Sequence, residues 1–341
     1  MQDDSVLISL RNLKTYFFLQ QGTVRSVDGV DFDIHRGQTL GVVGESGCGK
    51  SVTAQSILRI VPPPGRIVEG EILYHRRARN TNSSQVTDVI NLAALDPRGS
   101  EIRSIRGAEI AMVFQEPMTS LSPVHTIGDQ ITEAITLHQC ALSKIAARKE
   151  AISVLQRVGM PKPTQAIDSY PHQLSGGMRQ RAIIAMALSC NPSLLIADEP
   201  TTALDVTTEA QILELMSDLQ RELGMAIMYI THNLGVIAEM TKRVVVMYLG
   251  KVVEIADVDA LFHDPRHPYT RALLKSIPRI GRKSRERLEA VKGMVPDPYS
   301  LPKGCAFHPR CPSAILGICD QEEPPFVSLE STHQVRCVLY R

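Results

Sequence analysis

The sequence predicts an α/β fold with a mainly parallel sheet, a helical block set into it, and a separate C-terminal extension. Two observations predict it. Short continuous apolar runs, Gln38–Val43, Ser193–Ala197 and Ala226–Ile230, are each followed by a helical pattern, the order that gives parallel strands joined by crossover helices. A glycine-rich loop, GESGCGKS at 44–51, stands between the first of these runs and a helix.

Val6–Leu13 alternates as a strand does, and Val30–Ile34 follows the turn-like Asp28-Gly29 as a second strand. A helix is predicted from Lys50 to about Ile60, where Pro62-Pro63-Pro64 stops it. Residues 75–107 are rich in Asn, Ser, Thr and Arg and read as an irregular surface insertion. Ala111–Phe114 reads as a short buried strand ending at Gln115, and 126–160 turns helical. A further helix, Gly177–Cys190, follows Ser175 and ends at Asn191-Pro192. Gln211–Leu223 is an amphipathic helix, and Val244–Tyr248 with Lys251–Ile255 read as antiparallel strands. Beyond about 263 the composition shifts to Pro, Arg and Cys. The expected organisation is a domain at 1–262, with a helical subdomain at about 118–190, and an extension at 263–341.

The 341 residues suit about two domains, and 43% hydrophobic with 21% charged residues is ordinary globular composition. A net charge of +1 offers no basic field for nucleic acid, which argues against a protein that lives by phosphate-backbone contacts. The N-terminal residues carry no basic region leading into an apolar one, and no apolar run reaches the ~18 residues a membrane span needs. The expectation is a soluble cytosolic chain linked to a membrane only through a partner.

The chemistry lies in three strings. In GESGCGKS, Gly44, Gly47 and Gly49 let the backbone wrap closely and turn amides toward phosphate oxygens, with Glu45, Ser46 and Cys48 between them. Lys50 supplies a point charge for the β- and γ-phosphates, Ser51 a hydroxyl for Mg²⁺, and the following helix its positive end. In LLIADE, an apolar strand runs into Asp198 and Glu199. Asp198 is suited to hold Mg²⁺, and Glu199 to orient and deprotonate an attacking water. In LSGGMRQR, Ser175, Gly176 and Gly177 stand where a helix begins, bringing a hydroxyl, free amides and the helix dipole onto one anion. Each string alone has a plainer reading: a glycine turn, a helix-start acid pair, a capped helix. Together and in this order they point to nucleotide binding with a catalytic carboxylate.

With those strings in place, the chain resembles ABC-type ATPases over about residues 5–260. The resemblance implies the cassette fold, a P-loop NTPase α/β domain with an antiparallel β subdomain and a helical subdomain. It further implies that Gln115, in MVFQEP, touches Mg²⁺ and senses the membrane subunit. It makes ALD at 203–205 a loop whose Asp205 serves the ATP site, and His232, in ITHN, a contact to the γ-phosphate. Phe17 is the implied adenine-stacking aromatic, with Tyr16 as the alternative. Asn233 stands where many members carry Asp, a departure that changes local charge and leaves the histidine. Cys48 reads as a small residue, a redox-active thiol being the lesser alternative.

PRHPYTRALLKSIP at 265–278, the cysteine-containing end and QEPMTSLSP resemble the oligopeptide/dipeptide importer branch, whose members also include nickel and oligosaccharide importers. The resemblance implies a peripheral subunit on the cytoplasmic face of the bacterial inner membrane, hydrolysing ATP to drive uptake of di- or oligopeptides. Its implied partners are a second ABC ATPase subunit in a heterodimer, two transmembrane permeases and an extracytoplasmic substrate-binding protein. Rival classes are a soluble ABC ATPase acting on DNA or ribosomes and a cassette that binds nucleotide without hydrolysing it. The first lacks its tandem cassettes here, and the second is opposed by the presence of Glu199, His232 and Gln115.

Cys305, Cys311, Cys319 and Cys337 are spaced C-x5-C-x7-C-x17-C, without the tight pair typical of structural zinc. Four thiolates in a reducing compartment suit a [4Fe–4S] cluster, and some subunits similar to this one carry one. Zinc, with His308 or His333, and unligated thiols are the alternatives.

Overall fold

The computed structural model describes residues 5–77, 86–115, 120–139, 142–202, 204–276, 291, 293–330 and 332–341. Several sequence expectations lie outside these: 78–85 of the supposed insertion, 116–119 after Gln115, Cys140, Ala203, and 277–278. The chain divides into two compact units. One comprises Met1–His35, Thr39–Ala94 and Ile230–Arg341, the other Arg36–Gln38 and Leu95–Tyr229.

The first unit holds a four-stranded antiparallel sheet in the order Gly22–His35, Val6–Leu19, Gly65–Arg77, Val86–Asn91. Its long strands bury Ile8, Leu10, Leu13, Val30, Ile34, Ile72 and Tyr74, with Ser9 and His75 buried among them, while Arg11, Asn12 and Glu71 are exposed. This corrects the expectation of an irregular 75–107. The segment begins as the end of a strand, continues as the paired strand Val86–Asn91, and in the second unit forms the helix Ser100–Ile105. In an antiparallel sheet one face can stay solvated, so a strand needs apolar residues on one side only and its composition can resemble that of a loop.

The same unit sets Thr39–Val43 parallel to Arg243–Tyr248, with Val42 opposite Val245, and all five residues of the first strand are buried. Arg243–Tyr248 pairs antiparallel with Lys251–Asp257, as expected. The tail then adds strands: Gln334–Arg336 pairs with Lys251–Asp257, and Phe326–Ser328 pairs with Gln334–Arg336. Glu254, with 0% exposure, fixes this junction. Its carboxylate accepts from the amides of Arg266 at 2.6 Å and His267 at 2.9 Å, and lies 2.8 Å from His333 Nε2. Burial pushes the Glu254 pKa up, but the His333 bond and the surrounding donors outweigh it and hold the group below the usual carboxylate range.

The second unit carries the parallel pair Ile110–Val113 and Leu194–Asp198, with Val113 opposite Ala197, and Ala226–Ile230 follows Leu194–Asp198 in sheet order. Its helical part has Ile127–His138, Lys144–Arg157 and Gly176–Leu188. The predicted helical stretch is therefore two helices. Thr126 caps the first in a capping box with Asp129, and Ser143 starts the second by accepting from the Ala146 amide. Ile127, Ile131 and Ile135, four apart, form the buried stripe of the first. Val206–Leu223 begins at Asp205 and ends at Gly224 in the left-handed conformation.

Candidate functional site

In the first unit the loop 44–51 leaves a buried strand and enters the helix Lys50–Ile57. Gly44 and Gly49 have φ of 152° and 101°, and a Cβ there would lie 2.2 Å from the Met247 carbonyl oxygen and 2.1 Å from that of Ser26. Only glycine lets the loop pass this close to the neighbouring backbone. Lys50 is 6% exposed and its Nζ donates to the carbonyls of Gly44 at 2.8 Å and Glu45 at 3.1 Å, so the ammonium lies inside the curve of the loop. Ser46 and Gly47 are exposed and Ser51 is half-buried. Cys48 is 3% exposed, and burial pushes its thiol pKa up although Lys50 opposes this. A neutral buried thiol fits the small-residue reading better than the redox one.

Phe17 and Tyr16 are both half-buried near the end of Val6–Leu19. Tyr16 is committed elsewhere: its hydroxyl donates to Asp28 at 2.7 Å, and burial, followed by the Asp28 bond, pushes its pKa to about 12. The Phe17 ring lies against Gly65, where an added Cβ would be 2.6 Å away. Two residues before Phe17, Thr15 Oγ1 is 2.8 Å from Ser56 Oγ on the phosphate-loop helix. His232 and Asn233 are exposed beyond Thr231, whose amide donates to the Val42 carbonyl. The Asn233 side chain accepts from the Gly235 amide at 3.0 Å. A neutral oxygen thus performs the helix-capping part of what Asp would do there.

In the second unit, the carboxyl ends of the two paired parallel strands bring Gln115 and Glu199 together. Gln115 Nε2 donates to Glu199 Oε2 at 3.1 Å, and Thr202 Oγ1 donates to the same oxygen at 3.2 Å. Thr202 is a positioning group that the sequence reading missed; its place three residues after the carboxylate was the available signal. Asp198 is 4% exposed and ends the strand Leu194–Asp198. Glu199 has φ of 47°, a left-handed backbone that costs a non-glycine residue about 1–2 kcal/mol and clusters at functional positions.

Ser175 caps Gly176–Leu188, its hydroxyl accepting from the Met178 amide at 3.3 Å. Ser175 and Gly176 are exposed, and a Cβ on Gly177 would sit 2.7 Å from Thr208 Cγ2. The helix start therefore presents donors and its positive end outward. Asp205 caps Val206–Leu223, accepting from the amides of Thr207 at 3.1 Å and Thr208 at 3.0 Å and from Thr208 Oγ1 at 2.6 Å. The Thr208 bonds hold its pKa low.

In the tail, Cys305, Cys311, Cys319 and Cys337 line one small cavity with Phe307, His308 and Pro324. Burial pushes the Cys305 pKa up to about 11 and raises those of Cys311 and Cys337. Among the described residues, no group of three or more His, Cys, Asp or Glu is arranged to hold a metal ion. His333 is taken by Glu254, which removes it from the zinc alternative. Among the described residues no helix is long and apolar enough to cross a membrane.

The family model described as "ABC transporter" matches residues 27–202, and that described as "Oligopeptide/dipeptide transporter, C-terminal region" matches 253–319. The oligopeptide transport ATP-binding protein AppD of Bacillus subtilis (strain 168) is 49% identical over 337 residues, 98% of this chain and 97% of its own length. The dipeptide transport ATP-binding protein DppD of the same organism is 47% identical over 334 residues, 98% and 94%. Among solved structures, the ATP-binding cassette MJ0796, as a dimer in a post-hydrolysis state with ADP and Pi, is similar with TM-score 0.62 and 27% identity. That match covers 74% of this chain and 99% of the other. The cbiO1 protein from Clostridium perfringens is similar with TM-score 0.60 and 25% identity, covering 76% and 92%. Matched by both models and nearly half-identical to these relatives along almost its whole length, the chain belongs to the ABC transporter ATP-binding family, in its oligopeptide/dipeptide branch.

Proposed function

We propose that this chain is the ATP-hydrolysing subunit of an importer that takes di- or oligopeptides across the cytoplasmic membrane. One observation carries the reading: the Gln115–Glu199 pair, a carboxylate oriented by two donors at the end of a buried strand, in a chain whose peptide-transport relatives match it end to end. Lys50 neutralises the β- and γ-phosphates, and the amides of the loop from Ser46 to Ser51 cradle their oxygens. Ser51, Gln115 and Asp198 are the residues that would hold Mg²⁺, which when bound would polarise the phosphate and neutralise developing charge. Glu199 takes a proton from the attacking water, and His232 contacts the γ-phosphate. Phe17, free of the polar tie that holds Tyr16, stacks on adenine. The exposed Ser175 hydroxyl and the Gly176 and Gly177 amides receive the phosphates of an ATP held by a partner cassette, and Asp205 stands in the same surface.

One chain contributes one cassette, so it pairs, as a heterodimer with a second ATPase subunit. Closure around ATP passes to two transmembrane permeases, and an extracytoplasmic binding protein delivers the peptide. The subunit lies peripherally on the cytoplasmic face. A nickel or oligosaccharide cargo is the alternative within the branch.

The four tail thiols hold a [4Fe–4S] cluster in this reading. Their support is the donor set: four cysteines on one small cavity, with burial opposing free thiolates. A cluster spreads its thiolates farther apart than one ion does. It takes no part in hydrolysis. Iron and acid-labile sulfide in anaerobically purified protein test it, and absence of both rejects the cluster. The cargo is tested by ATPase activity of the whole transporter in liposomes, with and without a peptide-loaded binding protein. Stimulation by a di- or oligopeptide supports the proposal; an active ATPase indifferent to peptides moves the cargo to nickel or sugars.

A further inference from the structure

We propose that Arg310 and Tyr269, both from the tail, are positioning residues for the phosphate loop. Arg310 neutralises and draws aside Glu45, and Tyr269 fixes the Glu45 amide. The proposal rests on the nucleotide-binding reading of the loop and adds groups that the ATP-site motifs do not contain.

Glu45 places a carboxylate on a loop shaped to receive a polyanion. Left unpaired, it would repel phosphate at short range. Arg310 meets it in a two-pronged pair, Nη1 to Oε2 at 2.7 Å and Nη2 to Oε1 at 3.0 Å. The Arg310 side chain is 4% exposed and that of Glu45 25%, so solvent screens the pair weakly. The guanidinium is held further by the Tyr248 hydroxyl and the Val291 carbonyl, each at 3.3 Å. Tyr269 is 0% exposed, and its hydroxyl accepts from the Glu45 amide at 2.9 Å. That amide is thereby committed to the tail side of the loop.

Tyr248, Tyr269 and Phe307 pack ring against ring, with centroids 4.7 and 5.3 Å apart. Gly44 abuts the backbone of Met247, next to Tyr248. Arg310 lies between Cys305 and Cys311, two of the thiols on the shared cavity, so the cysteine segment is the same piece of chain that grips the loop.

Equilibrium MgATP binding by the full-length chain tests this with Arg310→Met, Arg310→Lys, Glu45→Gln and the double variant E45Q/R310M, alongside thermal melting. Arg310→Met should weaken MgATP by about tenfold or more, because it leaves the carboxylate unpaired. Arg310→Lys should fall between, keeping charge and losing the fork. Adding Glu45→Gln to Arg310→Met should recover most of the loss. A tail-anchoring role predicts no recovery, since the double variant lacks the pair just as completely. Binding by R310M within about twofold of wild type, or a double variant as weak as R310M, overturns the proposal. Should the Arg310 variants not fold, Tyr269→Phe removes only the acceptor for the Glu45 amide. It should weaken MgATP several-fold with the melting midpoint nearly kept, and unchanged binding rejects its role. Lys50→Ala is the control: if it leaves MgATP binding intact, the nucleotide reading itself fails.

Discussion

Glu199→Gln separates the chemistry of the carboxylate from its place in the fold. Glu199 Oε2 accepts from Gln115 Nε2 and Thr202 Oγ1 at 3.1 and 3.2 Å. A glutamine amide oxygen in the same position accepts both, so stability should change by less than about 0.5 kcal/mol. The left-handed backbone at this residue is the same cost in both side chains. The amide cannot take a proton from water, and a positioned general base is worth about 10²–10⁴ in rate. That is about 2.7–5.5 kcal/mol of barrier. Single-turnover phosphate release by the assembled transporter should fall by that factor, while MgATP binding and the melting midpoint stay near wild type. Gln115→Ala leaves the carboxylate and its Thr202 donor, so its loss should be smaller. Hydrolysis by Glu199→Gln within about tenfold of wild type would refute the base assignment. An equal loss of affinity would instead reveal damage to the site.

Gly49→Ala should abolish MgATP binding, because the new Cβ would lie 2.1 Å from the Ser26 carbonyl at a φ of 101°; near-normal binding in a nucleotide titration would contradict the close approach. Ser175→Ala removes a helix cap that accepts from the Met178 amide. It should lower stability by about 1 kcal/mol in denaturant unfolding, with a larger proportional loss of transporter ATPase if the hydroxyl also meets nucleotide. Glu254→Leu leaves the Arg266 and His267 amides and His333 without their acceptor. It should cost about 3–5 kcal/mol and expose the tail to limited proteolysis, whereas an unchanged melting curve would show that the junction is held elsewhere.

What the sequence made legible is what local geometry demands. Gly44 and Gly49 answer to backbone crowding and positive φ, Gly47 to positive φ alone, and an apolar strand ending in Asp198-Glu199 announces its own burial and its polar end. The helix start at Ser175 is local in the same way, whereas the cap at Ser143, which divides 126–160 into two helices, went unread. The strand Val86–Asn91 was hidden because a strand of an antiparallel sheet needs an apolar face on one side only. The tail was hidden for a different reason. Its ties are pairs between distant residues: Arg310 meets Glu45 across 265 positions, and His333 meets Glu254 across 79. Neither pair has a period. One trace was nevertheless readable. Glu254 stands as a lone charge inside the apolar run Val252–Ala256, and a charge in a strand-length apolar run must find a partner or leave the core. The same argument applies to Glu45. A carboxylate in a loop proposed to bind phosphate is a local conflict, and such a conflict persists only where something from outside the motif resolves it. In this chain the guanidinium that meets that carboxylate comes from the cysteine-bearing tail, which gives the tail a reason to stay coupled to the nucleotide loop.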